Sequence, residues 1–174
     1  MLRARRMADD DVLQCLEVDP GYTTEWVWQL ERQEWGDELS FRLRPAQLPR
    51  PRTVDGYPIE PSLDDRLAQA DFALLLEDQA PVAYVLAQLV GTTVQLDLLV
   101  VAPAWRRRGL GRRLLGEVRS WAQRRGGQRL AVTIEARNYP AVRFLRKQGF
   151  IIRGVRDVVS RDDEVTLELV AGIG

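Results

Sequence analysis

Arg106, Gly109 and Gly111 form an Arg-x-x-Gly-x-Gly spacing within Leu98-Leu-Val-Val-Ala-Pro-Ala-Trp-Arg-Arg-Arg-Gly-Leu-Gly-Arg-Arg-Leu-Leu115. The apolar run before it reads as a strand. Behind it, Leu110, Leu114, Leu115, Val118, Trp121 and Ala122 fall on one helical face. A glycine-bearing loop between strand and helix suits an anion. The first amides of a helix lack internal partners, and the helix dipole adds positive potential there. Glycine lets the backbone come close to a phosphate and adopt positive φ. A pyrophosphate is the fitting guest.

Two common pyrophosphate sites do not match. A P-loop needs Gly-Lys-Ser/Thr at its end, which is absent. A dinucleotide loop places its glycines directly after the strand, whereas seven residues, Ala102 to Arg108, intervene here. Its third glycine position is Leu114, and too little chain follows to complete a doubly wound sheet. Glu135, at the end of the next strand, only imitates a ribose-binding acid. The clustered arginines Arg106, Arg107, Arg108, Arg112 and Arg113 lack the interleaved aromatics of a nucleic-acid surface. Phosphate anchoring of a cofactor accounts for them better.

Elements that would position this loop follow from pattern. Residues 2–7 read as a strand, and Asp9-Asp10-Asp11 as N-cap chemistry for a helix through Val12, Leu13 and Leu16. Phe72–Leu76, Val82–Val90 and Val94–Val101 form an antiparallel meander. After the helix at Leu110, closed by Gly126-Gly127, come a strand at Leu130–Ile134 and a helix from Asn138 to Gly149. Strands at Phe150–Val155 and Val165–Val170 complete the order. Between lies 20–65, rich in proline, where Glu25–Trp35 reads as a helix and Glu38–Arg44 as a strand. The class is α+β: one domain over 1–174, with a mixed, mostly antiparallel sheet flanked by helices.

Bulk composition narrows the chemistry. With 174 residues and 45% hydrophobic content the chain can form one core. Twenty-five basic and 25 acidic residues cancel, so net charge points to neither nucleic acid nor membrane. No histidine occurs, which removes histidine bases, histidine metal sites and Ser-His-Asp triads, and no metal is expected. A single cysteine, Cys15, on the apolar side of its helix, reads as a buried filler in a reducing compartment. No signal peptide or membrane span is evident, so a cytoplasmic location is expected.

Two segments carry a family resemblance. Val100-Val-Ala-Pro-Ala-Trp-Arg-Arg-Arg-Gly-Leu-Gly111 resembles the strand and pyrophosphate loop of the GNAT (Gcn5-related N-acetyltransferase) superfamily. Asn138-Tyr-Pro-Ala-Val-Arg-Phe-Leu-Arg-Lys-Gln-Gly-Phe150 resembles its second signature, an Asn-x-x-Ala…Gly-Phe helix. The likeness makes 72–154 an acetyl-CoA-binding core and 20–65 a variable acceptor-side segment. It implies backbone bonds from Leu99 and Val101 to the acetyl and pantetheine groups. Arg106, Arg107, Arg108, Gly109, Leu110, Gly111 and Arg112 would form the pyrophosphate site, the amides from Arg107 through Arg112 holding it. Asn138 would contact the pantetheine and Phe144 would pack near it. The implied reaction is direct attack of a primary amine, small-molecule or peptide-terminal, on acetyl-CoA. A non-catalytic acyl-CoA sensor is the alternative, and a homodimer is compatible with the chain.

Many members carry a tyrosine that protonates the leaving thiolate, where this chain has Leu145. A coenzyme thiol with a pKa near about 8.5 leaves tolerably unaided, so a tyrosine there is expected to keep or raise activity. Asp97, on an otherwise apolar strand, and Glu135 are the candidate bases. A purely structural role for Asp97, bonded to a neighbouring strand, is equally open. Acids of the segment Glu17–Glu38, with Tyr22, Trp26, Trp28 and Trp35 among them, suit a cationic acceptor or else a solvated helix face.

Overall fold

The computed structural model describes residues 2–56, 61–158 and 164–174; Pro58, one of the prolines of the variable segment, lies outside them. Contacts divide the chain into two compact units, Met1–Gly21 with Asp55–Val132 and Val170–Gly174, and Tyr22–Val54 with Thr133–Leu169.

The first unit opens with β1 (Arg3–Arg6) and a short helix, α1 (Val12–Leu16). The helix α2 (Leu63–Gln69) leads into the meander of β4 (Phe72–Asp78), β5 (Ala80–Val90) and β6 (Thr93–Val101). Then come α3 (Leu110–Arg124) and β7 (Arg129–Glu135), whose last residues belong to the second unit. The strand alternation of β5 sends its even residues one way and its odd residues the other. Tyr84 and Leu86 pack with Met7, Val12, Cys15, Leu63 and Val100 beneath α1 and α2. On the other face α3 buries Leu114, Leu115, Val118 and Ala122 completely, the apolar stripe read from its sequence.

The second unit holds the ribbon of β2 (Tyr22–Trp35) and β3 (Glu38–Val54), then α4 (Tyr139–Lys147), β8 (Ile151–Val158) and most of β9 (Glu164–Gly172). The main sheet has seven strands in the order β1-β4-β5-β6-β7-β9-β8, and β2-β3 form a separate pair. Its β1-β4, β4-β5 and β5-β6 ladders are antiparallel, and β6-β7 is parallel. The expected class and element order stand.

Three local expectations change. Glu25–Trp35 is strand, paired residue by residue with β3, not helix. The seven-residue α2 was not anticipated; Ser62 caps it by accepting from the Asp65 amide at 3.2 Å. Before α1 the three aspartates form a 3-10 turn; Asp11 stands at the N-cap position of α1, but its side chain bonds no helix amide and reaches back to the Ala8 amide at 2.8 Å.

Asp11 has a second partner. Arg5 grips both its carboxylate oxygens at 2.7 Å and bonds Glu77 at 2.9 Å, with Asp11 only 7% exposed. The Arg5 guanidinium holds the Asp11 carboxyl below its ordinary value of 3.8. The native form therefore binds its proton less readily than the unfolded chain does. The pair's contribution is complete above about pH 4 and is lost as pH falls through the depressed native value. Asp11→Ala should cost about 2–3 kcal/mol at neutral pH. Thermal unfolding from neutral to acid pH checks this, and the variant should show a shallower loss below pH 4. Cys15, fully buried, has its thiol pushed up to about 12 and stays protonated, a filler as its position suggested.

Candidate active site

In the first unit the loop before α3 is a closed local structure. The Trp105 amide bonds the Ala102 carbonyl at 2.8 Å, and the Arg106 amide bonds that of Pro103 at 3.2 Å. The Arg106 side chain turns inward: Nε donates to the Val101 carbonyl at 2.8 Å and Nη2 to that of Asp19 at 3.1 Å. Burial lowers its pKa from the ordinary value. Arg106 thus braces the loop against β6 instead of presenting its charge at the surface. Arg108 stacks over Trp105, its guanidinium 5.0 Å from the ring centroid.

Beyond Arg106 the backbone changes character. Arg107 and Gly109 both take positive φ, 64° and 83°. The first backbone bond of the helix runs from the Arg113 amide to Gly109 at 3.0 Å. Among the described residues, the amides from Arg107 through Arg112 therefore donate to no protein acceptor. Consecutive amides in left-handed turns make an anion-binding concavity, here continued by a helix N-terminus of the right polarity.

β6 supplies a second set of open backbone groups. The Ala102 amide bonds Val82 at 2.9 Å, and the register pairs Val101 with Ala83, Val100 with Tyr84 and Leu99 with Val85. Bonding in an antiparallel ladder alternates, so Leu99 and Val101 turn their backbone groups away from β5. The parallel ladder to β7 begins at Thr93–Arg129 and stops at Gln95–Ala131. Leu99 and Val101 thus present polar backbone edges beyond the end of the ladder, with the Val101 carbonyl already taken by Arg106.

Asp97 sits where this ladder ends. The β5–β6 register shifts between Leu86↔Leu98 and Ala87↔Leu96, which leaves Asp97 as the extra residue of a bulge. Val94 lies against Gly127 beside α3, whereas Leu98 and Val100 pack beneath α1 and α2; the bulge reverses which side chains face which way. Asp97 emerges on the α2 side and pairs with Arg66 at 2.6 Å, 36% exposed. Nothing in the sequence pattern announced Arg66 as its partner. A cavity of about 320 Å³ between β1 and α2 contains none of the expected site residues.

In the second unit, Asn138 caps α4, its Oδ1 accepting from the Ala141 amide at 3.2 Å. Its amide nitrogen and the second lone pair of Oδ1 remain for a ligand. Phe144 is half-buried on the same helix. Glu135 is held by Arg137 at 2.7 Å. Leu145 is only 4% exposed, packed into the core. A phenol there would overfill the interior, at a cost of roughly 1–3 kcal/mol. Leu145→Tyr should therefore lower the unfolding temperature, and a thermal melt checks it alongside the activity.

The acid-rich segment Glu17–Glu38 is not a single face. Glu31 pairs with Arg44 across the ribbon at 2.8 Å, and Glu34 with Arg32 at 2.8 Å, so strand β3 supplies the bases missing from the local sequence. Trp26 and Trp28 instead meet Tyr139, with centroids 6.2 Å apart in both pairs.

The family model described as the acetyltransferase (GNAT) family matches residues 22–150. No curated protein matches the chain. A nourseothricin acetyltransferase structure superposes with a TM-score of 0.85 at 23% identity, covering 99% of both chains. A Bacillus anthracis chain assigned as a streptothricin acetyltransferase, in complex with acetyl coenzyme A, gives 0.80 at 17%, covering 99% of this chain and 98% of that one. The ribosomal-protein-S18-alanine N-acetyltransferase of Escherichia coli gives 0.66 at 17%, covering 100% and 95%. At these identities the superpositions establish a shared fold.

Proposed function

The chain belongs to the acetyltransferase (GNAT) family, and we propose that it carries the acetyl group of acetyl-CoA to a cationic primary amine by direct attack. As a family member it is an acyl-CoA-dependent acyltransferase. The observation that carries the finer reading is the run of unpartnered amides from Arg107 through Arg112 at the start of α3. Their number and polarity fit a pyrophosphate, and Arg107, Arg108 and Arg112 add charge beside it. Arg106 acts by holding the loop in shape. The open backbone edges of Leu99 and Val101 offer bonding groups to the pantetheine and acetyl ends.

Acetyl-CoA, when bound, supplies an activated thioester that an amine can attack without a covalent enzyme stage. An ammonium acceptor must first lose a proton, and Asp97 is the group on β6 able to receive it, directly or through water. Each carboxylate has an arginine partner, Arg66 for Asp97 and Arg137 for Glu135, and Glu135, at the end of β7, is the weaker candidate. With Leu145 buried, no phenol at that position assists the departing thiolate.

A cationic acceptor is favoured by the Asp97 carboxylate and by the names of two of the superposed structures, a nourseothricin and a streptothricin acetyltransferase. Initial rates of thiol release with cationic, neutral and anionic amines, measured against salt, test this. Efficiency with the cationic amine should be highest and should fall as salt rises, through screening over a Debye length of about 8–10 Å. Better turnover of anionic amines would contradict the proposed acceptor.

A further inference from the structure

The β2–β3 ribbon has two chemically different faces. Register sets Trp28 with Pro45, Leu30 with Leu43, Arg32 with Phe41 and Glu34 with Leu39 on one side. On the other lie Val27 with Ala46, Gln29 with Arg44, Glu31 with Arg42, Gln33 with Ser40 and Trp35 with Glu38, a surface polar along its middle. The first side is apolar for most of its length, yet α4 covers only its base. There Tyr139 meets Trp26 and Trp28, and the Arg146 guanidinium sits 5.5 Å from the Trp28 ring. Further out, Leu39 and Phe41 remain 47% and 59% exposed. Contiguous apolar surface of this kind marks an interaction site.

Charge says what covers it. Between the ribbon's base and α4 runs a groove of about 720 Å³, with Trp28, Leu43 and Phe150 in its wall and Arg143, Arg146 and Lys147 on its rim. Among the described residues none of these three cations is in an ion pair. The ribbon tip is the complement. Gln33–Phe41 holds Glu34, Asp37 and Glu38 and no base. Glu34 leans on Arg32, while Asp37 and Glu38 have no basic partner among the described residues. From Trp28 to Trp35 the strand reaches about 24 Å at roughly 3.4 Å per residue. An acidic, apolar tip and a basic, apolar groove lie at opposite ends of the ribbon, with Asp37 and Glu38 at its turn.

We propose that two copies of this chain pair through their ribbons, antiparallel and about a two-fold axis, each tip seated in the other's groove. Leu39 and Phe41 would cover the partner's apolar base, and Asp37 and Glu38 would meet its Arg143, Arg146 and Lys147. A two-fold interface repeats each contact, so both ends of the ribbon are satisfied at once. An unrelated acidic partner would fill the groove and leave the tip bare.

Sedimentation of the full chain tests this. The wild type should sediment at twice the chain mass. A tip variant, Asp37→Lys with Glu38→Lys, and a groove variant, Arg143→Glu with Lys147→Glu, change only exposed residues. Each alone should raise the dimer dissociation constant on the order of a hundredfold, since like charges then face each other twice. Mixed in equal amounts, the two should recover dimers, because tip and groove are then complementary at both contacts. A monomeric wild type, a variant that still dimerises alone, or a mixture that stays monomeric would each overturn the proposal.

Discussion

Gly111→Val is expected to weaken acetyl-CoA binding about ten- to a hundredfold while leaving the fold intact. The residue lies in the first turn of α3, inside the run of amides that donate to no protein acceptor. Hydrogen bonds to a charged acceptor are worth about 1.5–3 kcal/mol each, and about 1.4 kcal/mol is a factor of ten. Blocking one of them gives the stated range. Helix propensity works the other way, since valine is a better helix residue than glycine, so a loss of binding cannot be ascribed to a melted helix. Gly109→Val should add backbone strain, because the position has φ 83° and caps the helix. Calorimetry against acetyl-CoA reads both variants, and unchanged affinity in Gly111→Val would remove the cofactor from this loop.

Asp97→Asn is expected to lower kcat by roughly 10²–10⁴ with acetyl-CoA affinity unchanged, the usual worth of a positioned base. Asparagine keeps the size and an oxygen for Arg66 but cannot take up a proton at neutral pH. Stability should therefore move little, which separates a chemical loss from a structural one. A further readout follows from the acceptor. An alkyl ammonium deprotonates unaided near about pH 10, so the deficit should shrink as pH approaches that value. Glu135→Gln, at the end of β7, should have the smaller effect. A rate for Asp97→Asn within a fewfold of wild type across pH would assign the proton transfer elsewhere and leave Asp97 as the structural partner of Arg66.

The loop and its flanking elements were legible because their signals are local. The stripe of α3, the apolar run of β6 and the glycine spacing each lie within a few turns of chain. The β2–β3 ribbon was not. Trp26, Val27 and Leu30, flanked by Glu25 and Glu31, mimic a helical spacing, and a ribbon exposed along much of both faces lacks the clean alternation of a half-buried strand. Pro45, Pro49 and Pro51 disguise β3, although a two-stranded ribbon tolerates proline at open edges. The helix α2 did leave a signal, Ser62 three residues before Asp65, which is the pattern of a capped start. Partners distant in sequence left none. Neither the pairing of Asp97 with Arg66, nor the inward turn of Arg106 to Asp19, nor the Arg44 that neutralises Glu31 follows from spacing. For the same reason Leu145 was judged by its motif position, whereas its burial decides what a tyrosine would do there.

The most direct measurement of the central claim is the fate of the acetyl group. Purified protein is incubated with acetyl-CoA and a streptothricin-class amine, and all species are weighed by mass spectrometry. Direct transfer predicts one acetyl group on the amine, an equal amount of free coenzyme thiol, and no acetyl group on the protein. Acetyl-CoA that binds but survives in the presence of every amine offered would identify a sensor and contradict the account; an acetyl group found on the chain itself would contradict direct attack.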